Sequence, residues 1–481
     1  MGHLIFHRKV RLDGESSMNN KQRLVILGFG SIGSGLLPLL LNHFEAGNIT
    51  IISADNRNIN ISAKYGAPRV IIEINQHNYH KELDRFLKAG YMLVNLSVNV
   101  SSESLVEFCA QRNVLYLDAC IEPWQGYYTD TRISPERRSN YSLRQDILDL
   151  RKNWQHLGKP LGPTALMAHG ANPGLVSHFV KRALIHIAEK TSPNTLNNLP
   201  MNRFEWATYA KNLGLKVIHI AERDTQTSQT PKAVGEFVNT WSVDGFISEG
   251  LQPSELAWGT HEKHWPLDGN RFTWGCKSAI WLNRLGCVTR VRSWTPQEGP
   301  FHGWIISHNE SISIGDYFNR YDYQPTVYYA YHPCDAAVLS MHELAGKGFV
   351  EQKNKRLMLD EITHGVDELG VLLMGDFGGY WYGSLLDIDT ARSLAPHNNA
   401  TSLQVVASVL AGILYAIDNP CLGIVEADDL PHEEILKITD PYMGKLVEAW
   451  TDWTPLQDRG RLFSEDVDTS DPWQFKNFQV V

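Results

Sequence analysis

The chain has 481 residues, 43% of them hydrophobic and 20% charged, with a formal net charge of −9. That length holds two or three globular domains, and the composition is that of an ordinary globular protein. The negative balance argues against a nucleic-acid surface, which needs clustered Lys and Arg, and is compatible with a small cationic substrate.

Met1 to Asn20 is polar and lacks the apolar core of a signal sequence. It is expected to be a mobile leader (1–20), with Met18 as an alternative start. The apolar run Leu24 to Leu27 then leads into Gly28-Phe-Gly30-Ser31-Ile32-Gly33. This reads as strand, tight turn and helix start. Gly28 suits the turn, Gly30 admits a pyrophosphate close to the backbone, and Gly33 lets the helix pack against the sheet. Free N–H groups of Ser31 and Ile32 at the helix start face an anion. Pro38 falls inside this helix, where a kink is expected. A second apolar run, Ile49 to Ile52, ends in Ser53-Ala-Asp55, with Asp55 where an acid meets the adenosine ribose. Asp55 favours NAD over NADP, although Arg57 stands nearby.

Met92 to Val98 reads as a buried strand, Glu103 to Asn113 as a helix and Val114 to Ala119 as the next strand. The alternation implies an α/β, Rossmann-type, doubly wound parallel sheet over 21–165. Thr164 to Ala168 reads as a further strand, followed by a helix from Leu175 to Ala188, and Ser192 to Pro200 as a loop. Beyond it Lys216–Ala221, Phe246–Ser248, Gly303–Ser307, Ser311–Ile314 and Thr326–Tyr331 read as short strands. They predict an α+β substrate domain over 166–395. Ser402 to Ile417 reads as a buried helix returning to the nucleotide domain. With the helical stretch Glu433–Lys437 and a Trp-containing tail, it makes up 396–481. The apolar region Leu403 to Ile417 is short for a membrane span and contains Gln404. The six cysteines form no C-x-x-C pair, which suits a reduced, cytoplasmic chain.

Ligands of open parallel sheets bind beyond the carboxyl ends of the strands. The candidates there are Asn95 and Ser97, Glu122, Asn172, and Glu222 with its neighbours Arg223 and Asp224. Each has a plainer alternative: Asn172 as a helix N-cap, Glu122 in a solvated turn, Glu222 paired with Arg223. Trp241 with Asp244 and Glu249 offers an aromatic face among carboxylates, which suits an ammonium ligand; a core Trp with rim acids is the other reading. His308 follows a predicted strand and can exchange protons near neutral pH. Asp376 is either a turn acid or part of the pocket. His261 and His264 lack the register of a zinc helix, and no metal site is expected.

These segments resemble bacterial homospermidine synthase, of the saccharopine dehydrogenase-like superfamily. The resemblance is carried by Leu27-Gly-Phe-Gly-Ser-Ile-Gly33, Ala171-Asn-Pro-Gly-Leu-Val-Ser-His178, Ile220-Ala-Glu-Arg-Asp-Thr-Gln226, Asn239-Thr-Trp-Ser-Val-Asp-Gly245, Ser254-Glu-Leu-Ala-Trp-Gly-Thr-His-Glu262 and Ser307-His-Asn-Glu310. It implies tightly held NAD, a homodimer formed through the α+β domain, and the joining of two putrescines, or of spermidine and putrescine, to homospermidine. It implies a polar pocket of Glu122, Asn172, Glu222, Trp241, Glu249 and His308; His308, Glu249 and Glu122 are the catalytic candidates and Trp241, Glu222 and Asn172, with Asp244 and Asp376 from the residue reading, the substrate-binding ones. Gly28, Gly30, Ser31, Ile32, Gly33, Asp55, Asn95, Ser97 and Asn172 would hold the cofactor. Neither a nucleic acid nor a membrane is an expected partner. The rival readings are an NAD-dependent dehydrogenase of a basic amino acid, which needs Arg or Lys to clamp carboxylates, a non-catalytic NAD-binding regulator, and a polyamine-binding scaffold.

Overall fold

The computed structural model describes residues 22–156, 162–197 and 199–480. The expected leader, Met18 included, lies outside them. β1 (Leu24–Leu27), β2 (Ile49–Ser53), β3 (Arg69–Ile71), β4 (Met92–Asn95), β5 (Leu115–Asp118) and β6 (Ala165–Met167) form one parallel sheet. Except at the edge strand β3, their near-continuous apolar runs are buried on both faces, as helix-covered parallel strands must be. A seventh strand, Ile424–Glu426, arrives from far downstream and pairs in parallel with β6. The spatial order puts β4 on one side of β1 and β2 on the other, so the chain reverses direction across the sheet at β1. A crevice opens at such a switch point, beyond the strands' carboxyl ends.

α1 (Ser31–Leu40) follows β1 directly, with Pro38 in its last turn. The returning helix, Ala400–Asp418, packs on α1 within one apolar core. Asn399 caps it by accepting the Ser402 N–H at 2.8 Å. This helix is long and apolar enough to cross a membrane, but most of its surface is buried inside the protein.

The second sheet is mixed. β7 (Leu215–Asp224) runs parallel to Thr326–His332 on one side and antiparallel to Val366–Gly375 on the other. Gly378–Asp387 and Lys445–Thr451 extend the sheet at one edge, and Pro253–Ala257, Ala279–Leu285 and Gly269–Arg271 at the other. One face packs on the helix Leu175–Thr191 through Phe179, Ile218 and Val371. The opposite face is covered by the C-terminal tail, whose Trp453, Trp473, Phe475 and Phe478 bury against Val217, Tyr328 and Trp381. His261 and His264 anchor that tail, on the Trp473 carbonyl at 3.0 Å and on Asp468 at 2.9 Å.

Two expected strands are helices. Phe246–Ser248 lies in the helix Val243–Gly250, and Ser311–Ile314 in the helix Glu310–Tyr317. The alternating Ser-Ile-Ser-Ile suggests period two, but nearly every residue of the second helix is buried, so its polar positions mark no solvent face. Ser242 starts the first helix by accepting the Gly245 N–H at 3.1 Å. The expected loop at 192–200 contains a short 3-10 turn, Pro193–Asn197.

Candidate active site

A cleft of about 500 Å³ opens at the switch point. Gly28, Gly30, Ser31, Ile32, Asp55 and Ser97 line it. Gly28 has φ +94°, and a Cβ there would stand 2.6 Å from the Leu96 carbonyl oxygen at the end of the neighbouring strand. A Cβ on Gly33 would strike the Gly28 carbonyl at 2.6 Å, which fixes the close approach of helix to strand. Gly30 faces open space, and no side chain caps α1, so its first N–H groups are left for an anion. Asp55 sits on the rim, held by the Arg57 side chain at 2.6 Å and the Arg57 N–H at 2.9 Å. The residues fit a dinucleotide: a glycine turn, an uncapped helix start, and an acid one strand away.

Next to the cleft lies a smaller chamber of about 130 Å³. The two share Ile32, Leu96, Ser97, Val98 and Ser242 as a common wall. The chamber collects Glu122, Asn172, Glu222, Trp241, Glu249 and His308 from distant parts of the chain. Asn95 and Asn172 line this chamber rather than the cleft.

Glu222 was expected just beyond its strand. β7 instead continues to Asp224, so Glu222 and Asp224 share one face and Arg223 points to the other. Arg223 approaches Glu298 and Asp335, and no Glu222–Arg223 pair forms. Glu222 Oε2 accepts hydrogen bonds from Asn172 Nδ2 at 2.6 Å and from Tyr329 OH at 2.7 Å. Asn172 therefore serves the chamber and does not cap the helix that follows, which starts at Gly174 without a side-chain cap. Glu122 is not in a solvated turn: it is half-buried in the chamber lining and accepts the Asn99 N–H at 3.1 Å. Glu249 is buried on the helix Val243–Gly250, and its Oε2 stands 3.4 Å from His308 Nε2. Trp241 Nε1 donates to Tyr331 OH at 3.1 Å, which fixes the indole in the chamber wall.

Burial dominates the electrostatics. It pushes Glu122 from 4.5 up to about 7. It raises Glu249 well above the carboxylate range, helped by the nearby Glu122 and Glu310, and it raises Glu222 as well. The same desolvation lowers His308 to about 3, so its imidazole is neutral at pH 7. Three glutamates thus face a chamber in which, among the described residues, none of the lining is Lys or Arg.

Two expected substrate residues lie elsewhere. Asp376 occupies the turn between Val366–Gly375 and Gly378–Asp387, largely exposed and paired with Lys216 at 3.1 Å. It lines neither cavity. Asp244 lines the cofactor cleft, not the chamber, and pairs with Lys355 at 2.6 Å. It precedes the turn of helix that carries Glu249 inward, and that helix turns Asp244 outward. Tyr329 was not foreseen. Besides holding Glu222, its ring stands edge-on to His308 at 4.5 Å. Its strand reads as Tyr-Tyr-Ala-Tyr, and the alternation that puts Tyr329 and Tyr331 on one face was a usable signal.

Known proteins show the same two-part organisation. The saccharopine dehydrogenase NADP binding domain family matches residues 24–161, and the saccharopine dehydrogenase C-terminal domain family matches 170–452. A homospermidine synthase of Blastochloris viridis is 46% identical over 469 residues, 95% of this chain and 97% of that protein. The chain belongs to the homospermidine synthase family. A second member, from Mesorhizobium japonicum, is 44% identical over 95% of this chain and 96% of its own length. The crystal structure of homospermidine synthase from Legionella pneumophila in complex with NAD superposes with a TM-score of 0.88 at 47% identity, covering 96% of this chain and 98% of that one. A yeast saccharopine dehydrogenase shares the fold alone, with a TM-score of 0.51 at 10% identity over 89% of this chain and all of that one.

Proposed function

We propose that this protein is a homospermidine synthase: it joins two putrescines, or spermidine and putrescine, to homospermidine with release of ammonia, using NAD that is regenerated in each turnover. The observation that carries this reading is the buried chamber beside the dinucleotide cleft, lined by Glu122, Glu222, Glu249 and Trp241 and, among the described residues, by no cation. A diamine at neutral pH is a dication, and such a chamber complements it. A basic amino acid would bring a carboxylate that needs Arg or Lys, and the described lining residues supply neither.

Bound NAD supplies a hydride acceptor for the amine-bearing carbon and a hydride donor for the imine formed after amine exchange. The residues of the chain do the rest. Glu222, fixed by Asn172 and Tyr329, holds a distal ammonium. Oxidation requires a neutral amine, so one end of the donor must surrender a proton. Glu249 and Glu122 suit that task, because burial raises their proton affinity above an ordinary carboxylate's. His308, neutral and beside Glu249, orients that carboxyl and can relay its proton. Trp241 offers its π face to passing cations, worth about 0.5–2 kcal/mol. Cleft residues Gly28, Gly30 and Asp55 hold the dinucleotide, Gly33 keeps the helix start close to the strand, and Ser97 sits at the wall shared with the substrate.

We further propose the division into a nucleotide-binding part (21–165), a substrate part (166–395) and a returning segment (396–481). A homodimer follows from the family resemblance. The cytoplasmic setting is supported by free cysteines at all six positions. The test is to incubate the purified protein with putrescine and catalytic NAD⁺ and to analyse the amines by mass spectrometry. Homospermidine and ammonia without net NADH are expected. Stoichiometric NADH, or no homospermidine at any pH, would defeat the reading.

A further inference from the structure

Asp118, at the end of β5, is fully buried and lines neither cavity. A hydrogen-bonded row runs from it to the wall between cleft and chamber. Asp118 Oδ2 accepts from Tyr116 OH at 3.0 Å, and Asn95 Nδ2 donates to the same Tyr116 oxygen at 3.4 Å. Asn95 Oδ1 accepts both the Ser97 N–H at 3.2 Å and the Ser97 hydroxyl at 2.5 Å.

The direction of this row follows from one group that can only donate. The Ser97 backbone N–H requires an oxygen, so the carbonyl end of Asn95 faces Ser97 and its amino end faces Tyr116. The Tyr116 oxygen then receives a hydrogen bond, and its own hydrogen must go to an acceptor, which Asp118 provides. At the far end the Ser97 hydrogen is committed to Asn95. What Ser97 presents to the common wall is therefore a pair of free lone pairs.

We propose that the Asp118–Tyr116–Asn95 row fixes the Ser97 hydroxyl as an obligate hydrogen-bond acceptor, and that it receives an N–H group at the boundary between cofactor and substrate. Two sources supply that chemistry: the carboxamide of a nicotinamide and the reacting amine. Asp118 is a positioning residue, acting through Ser97. The inference rests on the amine exchange proposed above.

Replacing Asp118 by Asn breaks the row without changing its shape. Asp118 Oδ1 accepts the Ala168 N–H at 2.6 Å, so the amide oxygen must stay there and the new amino group faces Tyr116. The Tyr116 hydroxyl then meets two amide donors and has lost its carboxylate acceptor, with only the Ser102 hydroxyl left beside it. The experiment compares wild type, Ser97→Ala, Asp118→Asn and the double variant in NAD affinity by titration and in kcat and KM for putrescine. Ser97→Ala and Asp118→Asn are each expected to lose about tenfold in one of these quantities. The double variant should lose little more than either single one, because both remove the same acceptor. Loss of NAD affinity identifies the carboxamide as donor; loss of kcat/KM with NAD affinity intact identifies the amine. Should Asp118→Asn fail to fold, Tyr116→Phe interrupts the same row. Unchanged NAD affinity and turnover in Ser97→Ala, or losses that multiply in the double variant, would overturn the proposal. A wild-type protein that binds NAD but leaves putrescine untouched would instead defeat the amine-exchange reading.

Discussion

Glu122→Gln should make the empty protein more stable at high pH while weakening its hold on diamines. Burial raises the Glu122 carboxyl from 4.5 to about 7. Each tenfold change in proton affinity corresponds to 1.36 kcal/mol, so the folded protein withholds about 3 kcal/mol from the ionised form. The folded-state value is the raised one. The carboxyl's contribution is therefore fully present below 4.5, fades as pH rises through about 7, and above that the charged group costs about 3 kcal/mol relative to a neutral group of the same shape. Glutamine is such a group, and its amide oxygen can still accept the Asn99 N–H. Thermal unfolding of the ligand-free variant and wild type is to be compared at pH 5 and pH 9, with and without putrescine. The variant should gain several degrees at pH 9 and almost nothing at pH 5. Putrescine should stabilise wild type at pH 9 far more than the variant. A variant no more stable than wild type at pH 9, or one stabilised equally by putrescine, would refute the idea that Glu122 is held in readiness for a cation.

Further outcomes follow from the same geometry. Putrescine binding to the NAD-loaded protein should release protons and strengthen as pH rises through 7, because ammonium groups restore the buried glutamates to their charged form; calorimetry in buffers of different ionisation enthalpy measures the count. Trp241→Ala should cut turnover by about 2- to 30-fold, the equivalent of its cation–π term, and leave NAD affinity intact; equal loss of both would contradict its role. Gly28→Ala should abolish NAD binding, since its Cβ would strike the Leu96 carbonyl in a left-handed backbone, and equilibrium dialysis would show it. Asp376→Ala, at the exposed turn, should leave kcat/KM within about twofold, and a larger loss would return that residue to the site.

The sequence exposed the nucleotide half well because its signals are local. Gly28, Gly30 and Gly33 obey a spacing imposed by a turn, a phosphate and a helix contact, and Ile49 to Ile52 repeats the buried-strand pattern within one βαβ unit. The chamber was legible residue by residue but not in its shape. Glu122, Glu222, Glu249 and His308 carry groups that suit a polyamine, yet only the packing of the second sheet against the first brings them together. Asp376 and Asp244 show the limit: an acid near an aromatic run reads alike in a turn, on a rim or in a pocket. Phe246 and Ile312 were placed on strands because short apolar runs have no period when every side is buried. Asp118 was invisible for another reason: it stands behind the lining, and a hydrogen-bond partner 50 residues away leaves no trace in local spacing, whereas Tyr329 lines the chamber and shares a strand face with Tyr331.

The most direct test follows the label of putrescine deuterated at both amine-bearing carbons through the purified, NAD-loaded protein. If a closed acidic chamber beside the dinucleotide carries out oxidation, amine exchange and reduction in one place, the homospermidine formed should retain every deuterium, with none found in free NADH. Exchange of that label for solvent hydrogen, or its accumulation in released cofactor, would contradict the account.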